Sequence, residues 1–284
     1  MVFLAGLGAM TLVQAGLALG QWGQLMILAP AVALLGLPHG ALDLPMAETL
    51  WPLRGWRQKA VFFAGYLGLA AAVGLLWWMA PGVGLAAFLA YSAFHFSGDW
   101  QQDGPPWRVA GGLSAIGAPV VFHLPEVTAI FAALGAAAWA PAIAQGAALA
   151  GLAGAVCAVF LVASLPRRGP VLEIAAIWIG AAWLPPLLAF VVYFCLLHSL
   201  RHLTATLAAL PDRRRAWRDA AGIIGVSVLA AGLGLAVLVA GAGGEVEASL
   251  LQVVFIGLAA LTVPHMVLVD RFTQQTTAAD RPCG

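Results

Sequence analysis

Apolar runs recur along this chain so densely that water cannot be the solvent for most of its length. Residues 2–20, 24–38, 59–79, 83–98, 108–122, 141–164, 170–184, 186–210, 219–241 and 249–270 each read as a helical segment made almost wholly of hydrocarbon. A helix needs roughly 20 apolar residues to cross a bilayer. Inside the bilayer the backbone must satisfy its own hydrogen bonds, which is what a helix does. Charged residues make up 9% of the chain and hydrophobic ones 62%, whereas a soluble domain carries about 25% charge. The expected fold is an all-α, polytopic membrane helical bundle of about ten transmembrane segments. The range is eight to ten, because 24–38, 83–98, 108–122 and 170–184 are short and read as tilted, broken or partly re-entrant. The apolar stretch 126–139 lies between Pro125 and Pro141 and reads as an interfacial or half-inserted helix. No repeat or long linker divides the chain, so 1–284 reads as one domain, with a short basic tail from about 271. The first segment lacks a basic leader and reads as a retained span.

The charges sort the loops by side. Arg54, Arg57 and Lys59 open the third span, Arg108 the fifth, and Arg167 and Arg168 the seventh. Arg213, Arg214, Arg215 and Arg218 open the ninth, and Arg271 and Arg281 follow the tenth. With ten spans, all of these fall on one face, while the opposite loops hold Glu126, Glu245 and Glu247 and no Lys or Arg. The positive-inside rule makes the basic face cytoplasmic, with both termini there, as in the inner (plasma) membrane. Of 13 basic residues only Arg201 lies within a span. A net charge of +1, carried in short loops, implies no nucleic acid. Cys157, Cys195 and Cys283 show no paired spacing and imply no disulfide framework.

The same parity sorts the six histidines. His39, His95, His198, His202 and His265 share the cytoplasmic half of the bilayer, and His123 falls at the opposite face beside Glu126. His198 and His202 are spaced i, i+4, so one helix face carries both rings. Ionisable groups inside a membrane span are costly and tend to be functional. Two readings stand. Lone histidines such as His265 and His123 are commonly helix–helix hydrogen-bond formers. The His198/His202 pair, with His39 and His95 at its depth, instead suits a first-row metal held by imidazoles. Asp43, four residues after His39, would accept the other ring N–H if 39–43 is helical. Asp99 stands in the same relation to His95, and Asp270 lies five residues after His265. Pro38 and Pro264 can each bend a helix to make room for a ligand. Arg201 reads first as a salt-bridge partner of Asp43, Asp99 or Asp270, and second as support for a carboxylate or for bound oxygen. Phe94, Phe96, Tyr193 and Phe194 stand near these rings and line an apolar tunnel or simply pack.

Five motifs carry a family resemblance: Pro38-His39-Gly40-Ala41-Leu42-Asp43, Tyr91 to Asp99 around His95, Phe122-His123-Leu124-Pro125-Glu126, His198-Ser199-Leu200-Arg201-His202, and Pro264-His265 to Asp270. In this order they resemble the Brp/Blh family of membrane-bound β-carotene 15,15′-dioxygenases. The resemblance implies cleavage of the central double bond of β-carotene by O2 into two all-trans-retinal. It implies Fe(II) on His39, His95, His198 and His202, with His265 a candidate fifth ligand, and a retinal-binding rhodopsin as a physiological link. A C40 hydrocarbon dissolves in the bilayer and would enter such a site laterally. Competing readings are cleavage of another carotenoid, a haem-ligating electron carrier, a di-iron hydroxylase and an ion transporter. Di-iron hydroxylases use more histidines, and transporters often carry paired repeats, which are not visible here.

Overall fold

The computed structural model describes residues 2–241 and 245–279, apart from the side chains of His39 and of residues 273–279. Arg281 and Cys283 lie outside the described residues. In chain order the helices are α1 (Val2–Leu17), α2 (Gln21–Ala31), α3 (Leu37–Ala41), α4 (Asp43–Leu50), α5 (Trp56–Met79), α6 (Pro81–Phe96) and α7 (Pro105–Phe122). They continue as α8 (Leu124–Phe131), α9 (Ala140–Ser164), α10 (Arg168–Trp183), α11 (Pro186–Tyr193), α12 (Leu200–Ala209), α13 (Arg213–Gly241) and α14 (Val246–Ala279). Wider π turns extend α2 (Val32–Gly36) and α8 (Ala132–Ala136) and join α11 to α12 (Phe194–Ser199), and a 3-10 turn (Ser97–Asp103) follows α6. Strands are absent among the described residues.

All ten apolar runs are helical, and the protein is a polytopic membrane helical bundle. Among the described residues, five helices are long and apolar enough to cross a bilayer: α5, α9, the composite Pro186–Ala209, α13, and Val246–Phe272 of α14. α7 qualifies only together with α8, and the pair is bent by 105°. The stretch expected to be half-inserted is therefore a separate helix folded back from α7. α1, α6 and α10 have 16 residues each, or roughly 24 Å of helix, short of the ~30 Å hydrocarbon core. The expected basic tail continues α14 as helix to Ala279.

Prolines set many of the helix starts. α3, α6, α7, α8, α9 and α11 each carry proline in the first two positions, where its missing N–H costs nothing and its fixed φ suits the helix. Burial then ranks the helices. In the composite Pro186–Ala209, 67% of the apolar window is buried, against 6% in α5 and 0% in α13. The helix with His198 and His202 is thus central, and its neighbours turn leucine and valine outward, as hydrocarbon surroundings allow.

Small residues set a close helix crossing. α7 and α9 meet at Gly117 and Gly151, where a methyl on Gly151 would lie 2.6 Å from the Gly117 carbonyl carbon. Backbone approaching backbone leaves no flexible atom to yield. Gly151→Val is expected to destabilise the bundle by about 1–3 kcal/mol through overpacking. Thermal unfolding in detergent, set against an exposed Gly146→Val control with nothing nearby, measures it. An unchanged midpoint would refute the close crossing.

Candidate metal centre

Three helices deliver rings to one place. His95 lies in the last turn of α6, His198 sits in the π turn before α12, His202 lies in the first turn of α12, and His265 follows Pro264 inside α14. His95, His198 and His265 are buried and His202 is half-buried. The Nε2 atoms of His95 and His198 face each other at 3.1 Å. His95 is central: its ring centroid is 4.7 Å from that of His198, 5.6 Å from that of His202 and 5.7 Å from that of His265. His198 and His202 stand 4.5 Å apart. Phe96 packs edge-on against the His198 ring and Phe194 stacks on it. The backbone of His39 lies in α3, while its side chain is outside the described residues.

The carboxylates are shared out differently from a simple i+4 pattern. The condition for Asp43 to serve His39 was an unbroken helix over 39–43, and the helix breaks at Leu42, whose ψ is 0°. Asp43 opens α4 and accepts from His265 Nδ1 at 2.7 Å and from the Tyr66 hydroxyl at 2.7 Å. Asp270 is exposed, and the carboxylate on His265 comes from another helix. Asp99 does not sit one α-turn below His95, because the chain tightens to 3-10 at Ser97. Its Oδ2 accepts from His198 Nδ1 at 3.2 Å and from the Tyr193 hydroxyl at 2.8 Å, while Oδ1 lies 3.6 Å from His202 Nε2.

A carboxylate can only accept, so the Nδ1 atoms of His198 and His265 carry the protons and their Nε2 atoms keep lone pairs. That tautomer leaves Nε2 free to ligate a metal. Two ring nitrogens on one ion at ~2.0–2.1 Å lie roughly 3.0–3.4 Å apart at usual angles, so the His95–His198 spacing fits. Donor atoms of Asp99, His198 and His202 also lie within 4.8 Å of one another.

Arg201 joins Asp99, one of its three expected partners, through the backbone carbonyl at 2.8 Å, with the carboxylate 4.0 Å away. Its other arm binds Glu173 of α10 at 2.5 Å. Glu173 went unnoticed in the sequence, although it is the only acidic residue in the apolar run 170–184, a signal of its own kind. Tyr66 carried no such signal.

His95 stands between two spaces. An apolar cavity of about 300 Å³ has His95, His265, Asp43 and Tyr66 in a wall otherwise dominated by residues such as Phe62, Phe96, Phe190 and Phe194. A second apolar cavity of about 120 Å³ shares Phe88, Ser92, Phe96 and Phe190 with it and takes in Tyr193. On the other side a polar cavity of about 1090 Å³ reaches His95, His202, Asp99, Arg201 and Glu173, and has Phe94, Arg108 and Arg167 in its wall. Of the four aromatic residues expected near the rings, Phe96, Tyr193 and Phe194 thus line the apolar cavities, and Phe94 lines the polar one.

His123 stands at the α7–α8 corner, its Nε2 donating to the Ala181 carbonyl at 2.9 Å with Glu126 at 3.7 Å. His123→Ala is expected to cost about 1 kcal/mol of stability and to leave the metal content of purified protein unchanged. Loss of metal in this variant would break the separation of His123 from the centre.

The sequence profile of the beta-carotene 15,15'-dioxygenase family matches residues 30–273. A curated "Beta-carotene 15,15'-dioxygenase" from Uncultured marine bacterium 66A03 is 31% identical over 269 residues, covering 90% of this chain and 94% of that one. No solved structure matches significantly.

Proposed function

Because the chain belongs to the beta-carotene 15,15'-dioxygenase family, a family of carotenoid-cleaving dioxygenases, we propose that it splits the central 15,15′ double bond of β-carotene with O2. Two all-trans-retinal form, each new C=O taking one oxygen atom, at a mononuclear non-haem Fe(II) held by histidines within the membrane. The observation that carries this is the His95–His198 Nε2 pair 3.1 Å apart, beside an apolar cavity. His95, His198 and His202 would hold the ion, with His39 added by the family motif and His265 as a fifth candidate in the tautomer a ligand needs.

Iron supplies the oxygen chemistry, and the chain binds, orients and excludes water. Asp99 and Asp43 hold the His198 and His265 rings with Nε2 toward the centre. Arg201, tied to Glu173, fixes the Asp99 backbone and so the turn that carries it. The phenylalanine-lined cavity receives the polyene from the bilayer and keeps the reacting bond out of the polar space beyond His95. Residues 1–284 act as one domain in the inner membrane with termini cytoplasmic, and a retinal-binding rhodopsin would consume the product. A haem reading loses ground, because a haem iron takes one or two protein ligands and four imidazole rings converge here.

The test is expression in a bacterium making β-carotene, with retinal and shortened apocarotenals separated by chromatography beside a His198→Ala control. Retinal from the wild type alone supports central cleavage at this site. Intact β-carotene in both, with iron-loaded protein in the membrane, overturns the substrate assignment.

A further inference from the structure

Two phenols stand behind the two histidine–carboxylate pairs, and neither is explained by cleavage or by ligation. Tyr66 on α5 donates to Asp43 Oδ2 at 2.7 Å, and Asp43 Oδ1 takes the His265 N–H at 2.7 Å. Tyr193 on α11 donates to Asp99 Oδ2 at 2.8 Å, the same oxygen that takes the His198 N–H at 3.2 Å. We infer that Tyr66 and Tyr193 are positioning residues, each acting through its aspartate to hold one imidazole of the metal centre in its ligating tautomer and orientation. This rests on the reading of the four rings as a metal centre.

Three observations support a shared role. First, the backbone is reshaped to make one of the relays. Tyr193 and His198 are five residues apart, which in an α-helix would turn them well away from each other. The π turn Phe194–Ser199 begins just after Tyr193, and its i to i+5 period returns the two to one face, with ring centroids 6.4 Å apart. Second, the other relay joins separate elements: Tyr66 also lies 3.4 Å from the Leu261 carbonyl, one turn before His265. The phenol therefore bridges α4 and α14 where the ring departs. Third, both aspartates are buried. A carboxylate in an apolar interior is costly unless donors surround it. A single imidazole N–H leaves most of its acceptor capacity unmet, and the phenol supplies a second strong donor without adding charge. A carboxylate pinned from behind cannot swing, so the imidazole in front of it keeps one aim.

The experiment uses full-length protein in detergent, reconstituted with Fe(II), comparing wild type, Tyr66→Phe, Tyr193→Phe, Asp43→Asn and the double variant Tyr66→Phe/Asp43→Asn. Iron affinity is read by competition with a coloured chelator, the site by the EPR spectrum of the nitric oxide adduct, and folding by thermal unfolding of the metal-free protein. Each Tyr→Phe is expected to weaken iron binding about 10–100-fold and to change the EPR line shape. Tyr66→Phe should add little in the Asp43→Asn background, because the phenol acts through that carboxylate. Wild-type affinity and spectrum in both Tyr→Phe variants overturn the inference. So does a lowered unfolding temperature with an unchanged spectrum, or full additivity with Asp43→Asn. A wild-type protein that binds no iron overturns the metal-centre reading, and the inference falls with it. A variant recovered unfolded is replaced in the comparison by the other tyrosine, whose relay is built from different helices.

Discussion

Replacing His198 by alanine should empty the centre and stop retinal formation together, while the protein still enters the membrane. Among the described residues His198 is the most enclosed of the rings, with no exposed surface. It touches His95 through Nε2, Asp99 through Nδ1 and the rings of Phe96 and Phe194. Losing a supporting partner of a ligand costs about 10–100-fold in metal affinity, so removing the ligand itself should exceed that. Iron in the purified variant should fall to background. Insertion should persist, because the run 186–210 becomes more apolar, not less. His198→Phe separates ligation from packing, since it keeps a ring against Phe96 and Phe194 but brings no nitrogen. It should be as iron-free as the alanine variant. Iron retained by His198→Phe would sink the assignment of His198 as a ligand.

Asp99→Ala is the second large effect. The carboxylate is buried and gathers the Tyr193 hydroxyl, the His198 N–H and the neighbourhood of His202 and Arg201. Its removal strands a buried O–H and a buried N–H, and leaves His198 free to take the other tautomer, which presents a proton where the lone pair should be. Taking one partner from a buried charged network costs about 3–5 kcal/mol, and iron affinity should fall at least as far as for the tyrosine variants. Asp99→Asn should be milder, because one amide oxygen at the Oδ2 position still accepts from both donors. Thermal unfolding of metal-free protein and chelator competition measure the two consequences separately. Equal iron affinity for Asp99→Ala and wild type would remove Asp99 from the centre.

Apolar runs and basic loops put five histidines, His39 among them, in one half of the bilayer, and the structure brings the rings of four of these, His95, His198, His202 and His265, together. The partnerships were not legible. Asp43 and Asp99 were assigned by helical spacing to His39 and His95, yet both lie where a regular helix gives way, at Leu42 and at Ser97. A π turn leaves no mark in hydropathy, so the sequence gives Tyr193 no role beyond tunnel lining or packing. Glu173 and Arg201 are distant in sequence and meet only through the packing of α10 against the central helix.

By itself the sequence determined the all-α membrane class, the apolar runs that become helices and the basic loops between them. These follow from how far hydrocarbon must extend to fill a bilayer and from where charge can be solvated, which are properties of segments. The tertiary structure decided which carboxylate holds which imidazole, which phenol holds the carboxylate, and which helix lies at the centre. A hydrogen bond is set to tenths of an ångström, and one residue of π or 3-10 winding redirects a side chain by more than that.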